Sequence, residues 1–154
     1  MLVLDTAVLV YAVGSDHALR EPCQALLDAV GRGELEATTT IEVIQEFAHV
    51  RARRRGRADA VTLARAYVDL LAPLAVVEQA DLIEGLRLFE HHERLGAFDC
   101  VLAAAALALG ADALVSPDRG YAAVSGIRHV VPDKDGVGGL LSGKTTGRGR
   151  APRD

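Results

Sequence analysis

The sequence has only two cysteines, Cys23 and Cys100, far apart and each set among apolar residues. That placement favours reduced, buried thiols over a disulfide or a metal-binding pair. Long apolar runs are missing too. The most continuous, Cys100 to Leu109, falls well short of the ~20 residues a membrane span needs. No basic segment precedes the first apolar residues, which reach Asp5 almost at once, so no signal peptide is visible and a cytoplasmic address is expected. Nor is the chain basic: 17 Lys and Arg against 21 Asp and Glu leave a formal charge of −4. This argues against a generic nucleic-acid coat. It leaves a nuclease open, because charge distribution matters more than the sum.

What is present fits one ordinary globular domain. The chain has 154 residues, 50% of them hydrophobic and 25% charged, enough to bury a real core. Its positive charge is local. Arg51, Arg53, Arg54, Arg55 and Arg57 form one run, and Lys144, Arg148, Arg150 and Arg153 another in the tail. The first run, through Arg51, Arg53, Arg54 and Arg55, is a candidate RNA-phosphate surface. Its ordinary reading is a solvated helix end, and that of the second a solubilising tail.

Leu2-Val3-Leu4 predicts a short strand ending at Asp5-Thr6, with helix following to about Tyr11. Glu21-Pro22 opens a second helix, since proline suits a first turn, and Gly31 closes it. A brief strand is expected over Glu36 to Thr38. Thr39 then fits an N-cap, with Glu42 three positions on completing a capping box. That helix should bury Ile41, Ile44, Phe47 and Ala48 on one face and run into the arginines. Gly56 breaks it, and Ala58 to Leu71 forms another helix. Pro73 precedes an expected strand at Ala75-Val76-Val77. Asp81 with Glu84 repeats the capping pattern at the head of a helix ending near Gly96. Phe98 to Leu109 is almost wholly apolar and predicts a buried helix, with Gly110 suited to its C-cap. Ala113-Leu114-Val115 is the next strand, Ser116-Pro117-Asp118 a loop, and Arg128 to Val131 a last short strand.

Short apolar strands alternating with helices indicate an α/β fold: an α/β/α sandwich with a short, mainly parallel central sheet. Residues 1–135 form the expected domain. Residues 136–154 are Gly-rich and basic and are expected to be a mobile tail.

In a parallel sheet of this kind, functional groups collect at the carboxyl ends of the strands. Asp5 follows the first strand, Asp118 lies just beyond another, and Asp99 heads the apolar helix that feeds that strand. Glu46 interrupts the apolar segment Val43, Ile44, Phe47 and Ala48. Glu42 lies one turn earlier on the same helix face, with a capping role that leaves it in support of Glu46. Singly, these residues fit caps, a turn and a surface carboxylate. Together they repel, by about 4 kcal/mol per pair at 4 Å and an effective dielectric of 20. Proteins gather such groups to hold a hard cation, and all-oxygen ligands suit Mg²⁺ or Mn²⁺.

Four segments resemble one family. Leu2-Val3-Leu4-Asp5-Thr6 is similar to the opening of PIN domains, and Thr40 to Phe47, ending Gln45-Glu46-Phe47, to their second acidic motif. Gly96-Ala97-Phe98-Asp99-Cys100-Val101-Leu102-Ala103-Ala104-Ala105 resembles the third. Val115-Ser116-Pro117-Asp118-Arg119-Gly120-Tyr121 resembles the fourth, in the form seen in VapC toxins of toxin–antitoxin pairs. The resemblance spans roughly Met1 to Pro132, with all four motifs in order. It implies a metal-dependent endoribonuclease, usually a homodimer, that uses Mg²⁺ or Mn²⁺ and is inhibited by a small VapB-like antitoxin whose tail enters the acidic groove. It places the catalytic set on Asp5, Glu46, Asp99 and Asp118, with Asp5, Asp99 and Asp118 as metal ligands. Glu46 would be a ligand or a water-orienting base. Thr6 and Ser116 could hold these carboxylates in place, and Glu42 stands behind Glu46 as a supporting residue; for both hydroxyls a plain turn or capping role is the alternative.

Other signals are set aside. Gly138 to Thr145 matches the Walker A letters, but a phosphate loop must open a helix and too little chain follows. The adjacent His91 and His92 point in different directions on a helix and fit a solvated face. The rival from another class is a PIN-fold binding module that has lost catalysis; the complete acidic set argues for the enzyme.

Overall fold

In the computed structural model, which describes residues 1–143, three consecutive apolar residues make the central strand. β1 (Leu2–Leu4) lies between β2 (Ala37–Thr38) and β3 (Ala113–Val115), and β4 (His129–Val130) completes a sheet of order β2-β1-β3-β4. Every pairing is parallel, with Leu4 opposite Val115, Val3 opposite Thr38 and Val115 opposite Val130. All residues of β1 and β3 are buried, as expected of a parallel sheet covered on both faces. This register delivers Asp5, Thr39, Ser116 and Val131 together at the carboxyl edge. The expected architecture, a short parallel sheet flanked by helices, is the one observed.

Seven helices surround the sheet among the described residues: α1 (Thr6–Ala12), α2 (Arg20–Gly31), α3 (Ile41–Arg55), α4 (Arg57–Leu71), α5 (Gln79–His91), α6 (Ala97–Ala108) and α7 (Lys134–Ser142). α3 packs on α4 and α5 on α6, while α1 touches both α2 and α3. The core runs through Val3, Leu4, Val8, Leu9, Leu26, Phe47 and Leu114, all fully buried; each such side chain contributes roughly 1.5–3 kcal/mol relative to exposure. Cys23 and Cys100 are free and buried, and burial pushes the Cys23 thiol up to about 12.

Several local expectations need correction. Thr40, not Thr39, caps α3, accepting from the Val43 N–H at 3.4 Å. The Thr39 hydroxyl is committed elsewhere, donating to the Leu4 carbonyl at 2.6 Å. Glu42 therefore has no capping box to complete. The later start also turns Ile41 outward, 46% exposed, and leaves Val43, Ile44 and Phe47 as the buried face. Ala75 makes only an isolated parallel bridge to Thr40, and Val76 is 64% exposed. The chain leaves the sheet there to begin α5, so no strand forms. α5 is capped at Glu78, whose N–H donates to Asp81 at 2.9 Å. Asp81 is thus the reciprocal partner, Glu84 pairs with Arg87, and the helix stops at His91 rather than near Gly96.

Phe98 is 79% exposed although the rest of α6 is largely buried. The expected boundary after residue 135 falls inside α7, which buries Val137 and Leu140 and packs on α2. One of its glycines serves contact: a Cβ on Gly136 would lie 1.9 Å from the Val131 carbonyl oxygen. Gly138 to Ser142, the first part of the Walker-like string, is helix. The remaining tail residues, 144–154, including Lys144, Arg148, Arg150 and Arg153, lie outside the described residues.

Candidate active site

Asp5 is the first residue past the central strand, and only 8% of it is exposed. Its backbone N–H donates to the Val115 carbonyl at 3.1 Å, so the ladder that holds β1 to β3 also sets its position. Ser116, at the same edge one strand over, donates its hydroxyl to Asp5 Oδ2 at 2.6 Å. The same Ser116 Oγ accepts from the Asp118 N–H at 3.0 Å, linking the two acidic turns. Asp118 folds back to accept from the Gly120 N–H at 2.7 Å. Asp99 sits in the first turn of α6, where Oδ2 accepts from the Gly96 N–H at 3.0 Å. Glu46 comes from the middle of α3, and Thr6 donates to its Oε2 at 2.6 Å.

These four carboxylates line one cavity of about 520 Å³ at the sheet edge. Asp5, Glu46 and Asp99 also line a neighbouring groove of about 460 Å³, whose walls are largely apolar side chains of α5 and α6. Burial pushes the Asp5 carboxyl up to about 6; the Ser116 hydrogen bond opposes this, and the charges of Asp99 and Glu46 add to it. Asp99 is raised as well, first by burial and then by Asp118 and Glu46, against the Gly96 and Tyr121 hydrogen bonds. Their partners are two hydroxyls, of Ser116 and Tyr121, and two backbone N–H groups, of Thr6 and Gly96, none of which neutralises the charge.

Among the described residues, no three His, Cys, Asp or Glu side chains stand close enough to hold a metal ion as they are. The donor chemistry nevertheless suits a hard cation: carboxylate oxygens from four separate elements, two of them raised by burial and by neighbouring carboxylates, with no basic group bonded to them among the described residues.

The supporting residues divide. Thr6 and Ser116 hold Glu46 and Asp5 respectively. Glu42 lines the apolar groove, and one of its carboxylate oxygens is buried and has no hydrogen-bond partner among the described residues. Arg51 is occupied structurally, pairing with Asp59 through two nitrogens and donating to the Val13 carbonyl at 2.9 Å. That contact ties α3 to α4 and to the end of α1. Arg53, Arg54 and Arg55 are exposed, and Arg54 lines the acidic cavity.

Tyr121 was not singled out from the sequence. It is fully buried, and its hydroxyl donates to Asp99 Oδ1 at 3.2 Å. Burial, followed by the nearby charges of Asp5 and Asp99, pushes its own titration far up. The available signal was chemical: a buried tyrosine hydroxyl needs a partner, and this one follows Asp118 by three residues.

The family model described as PIN domain matches residues 2–127. Ribonuclease VapC7 of Mycobacterium tuberculosis is 49% identical over 142 residues, covering 92% of this chain and 98% of that protein. Ribonuclease VapC23 of the same organism is 36% identical over 102 residues, covering 64% of this chain and 78% of that protein. With its four carboxylates at the carboxyl edge of a parallel sheet, the chain belongs to the PIN-domain family, as a VapC-type member.

Proposed function

We propose that this chain is a divalent-metal-dependent endoribonuclease acting in the cytoplasm as the toxin of a toxin–antitoxin pair. The observation that carries the reading is the meeting of Asp5, Glu46, Asp99 and Asp118 on one cavity. Two relatives named as ribonucleases support it. Asp5, Asp99 and Asp118 would hold Mg²⁺ or Mn²⁺, which when bound polarises the phosphoryl group and activates water for in-line attack. Glu46 would orient the attacking water or serve as a further ligand, and Thr6 hydrogen-bonds its carboxylate. Ser116 keeps Asp5 aimed into the cavity while holding the Asp118 turn in register. Tyr121 stabilises ionised Asp99 and excludes solvent behind it.

The partner reading rests on the second cavity. An apolar groove edged by Glu42, Glu46 and Glu78 suits an antitoxin tail with apolar side chains and an Arg, whose ion pair strengthens as water is excluded. Exposed Leu82, Ile83, Leu86 and Phe89 on α5 form an apolar face of the kind a homodimer covers. No described helix is long and apolar enough to cross a membrane.

Cleavage of a short RNA with and without chelator tests the chemistry, with Asp99→Asn as the control. The expected products carry 5′-phosphate and 3′-hydroxyl ends, chelation stops the reaction, and Mg²⁺ or Mn²⁺ restores it. Ends bearing 2′,3′-cyclic phosphate would refute the mechanism, since those require attack by the RNA's own 2′-hydroxyl. Cleavage absent from the loaded parent would favour a catalytically silent binding module.

A further inference from the structure

Beside the carboxylates, the larger cavity has a second kind of wall. Tyr11 at the end of α1 and His17 in the following turn stack with ring centroids 4.4 Å apart and planes 25° from parallel. Both rings line the cavity. His17 is exposed and Tyr11 half-buried. The histidine is held in place, its Nδ1 accepting from the Leu19 N–H at 3.1 Å. α3 presents Glu46, Val50 and Arg54 to the same space. These residues are spaced by four, so they form one stripe on the helix. Over about 12 Å, at 1.5 Å per residue, the stripe passes from carboxylate through an apolar side chain to a guanidinium. No ion pair occupies Arg54 among the described residues.

We propose that this end of the cavity is a nucleotide subsite, where a base of single-stranded RNA stacks on the Tyr11–His17 pair and an adjoining phosphate meets Arg54. The inference rests on the proposed ribonuclease reading and adds a place for the nucleotide next to the scissile bond. A volume of about 520 Å³ lies within the range of small-ligand sites. Aromatic plates bind bases of any identity through their faces, while cations track the backbone. The negative charge of the carboxylates repels unneutralised phosphate, so the positive end of the stripe supplies an anchor that the acidic end cannot. Asp16 also lines this wall. Its carboxylate would repel phosphate but can accept from a base amino group, which fits a base on the ring side and phosphate on the Arg54 side.

The test uses a single-stranded RNA hexamer carrying 2-aminopurine at successive positions, in chelator so that nothing is cleaved. The parent protein should quench fluorescence at one favoured position. His17→Ala should weaken binding at least about 5-fold and abolish the quench, and His17→Phe, which keeps a ring, should restore both. Arg54→Gln should keep the quench but flatten the salt dependence by about 0.7 in log–log slope, as expected for one single-strand phosphate. No quench by the parent at any position, or the same quench with His17→Ala, overturns the subsite. Cleavage by the Mg²⁺-loaded parent is scored separately. If cleavage fails while the His17-dependent quench persists, the ribonuclease reading falls and the subsite stands.

Discussion

Asp5→Asn should make the metal-free protein more stable at neutral pH while abolishing cleavage. Asp5 is almost wholly buried, and its carboxyl is raised from 3.8 to about 6. At about 1.36 kcal/mol for each pH unit of displacement, that rise corresponds to roughly 3 kcal/mol. The sign follows from linkage: a carboxyl raised in the folded state favours folding when protonated. Its cost is fully present above about pH 6 and disappears as pH falls from there through 3.8, the ordinary value. Asparagine carries no charge, and its carbonyl oxygen can still accept from Ser116. The variant should therefore melt higher at pH 7.5 in chelator, by roughly 6–12 °C at 2–4 °C per kcal/mol for a domain near this size. Its advantage should shrink steadily between pH 7 and pH 4. Mg²⁺ should raise the melting temperature of the parent and not that of the variant. Thermal melts over pH with and without Mg²⁺ measure all of this. A variant that melts lower than the parent at pH 7.5 without metal would refute the reasoning, because ionised Asp5 would then be an asset to the fold.

Tyr121→Phe keeps the buried ring but removes the hydrogen bond to Asp99. Without that donor, Asp99 should titrate higher still, so the acidic limb of the pH–rate profile should move upward; an unmoved limb would return Tyr121 to a packing role. Gly85→Ala tests the α5–α6 contact, where an added Cβ would lie 2.7 Å from the Val101 Cα. The helices must separate, and a loss of about 1–3 kcal/mol is expected in denaturant melts; a neutral variant would show that this packing is looser than described.

The acids at the sheet edge were legible because each follows a local pattern. Leu2-Val3-Leu4 and Ala113-Leu114-Val115 are apolar triplets that stop at polar residues, and both triplets form strands with the expected bounds. The parts that were not legible depend on partners distant in sequence. Either Thr39 or Thr40 could cap α3, and the choice is made by the Leu4 carbonyl, 35 residues earlier, which takes the Thr39 hydroxyl. Apart from Asp99, α6 is apolar throughout, so it has no polar stripe from which to infer that Phe98 turns outward. α7 was hidden by its glycines, which read as tail until the close approach of Gly136 to Val131 is seen. Tyr121 bonds across to Asp99, 22 residues away, and no spacing rule predicts that pairing.

The four carboxylates differ in mechanical compliance. Asp5 is joined directly to the buried middle strand, so moving it means moving the core. Glu46 extends from the exposed side of α3 on a longer side chain, and Asp118 sits in a turn. The proposed metal site would then act as a vice with one fixed jaw. Ions of different radius would be accommodated by adjustment of Glu46 and Asp118 around a stationary Asp5. Substitutions that stiffen α3 or the Asp118 turn should therefore sharpen discrimination between Mg²⁺ and Mn²⁺, whereas changes beneath β1 should alter the affinity for both alike.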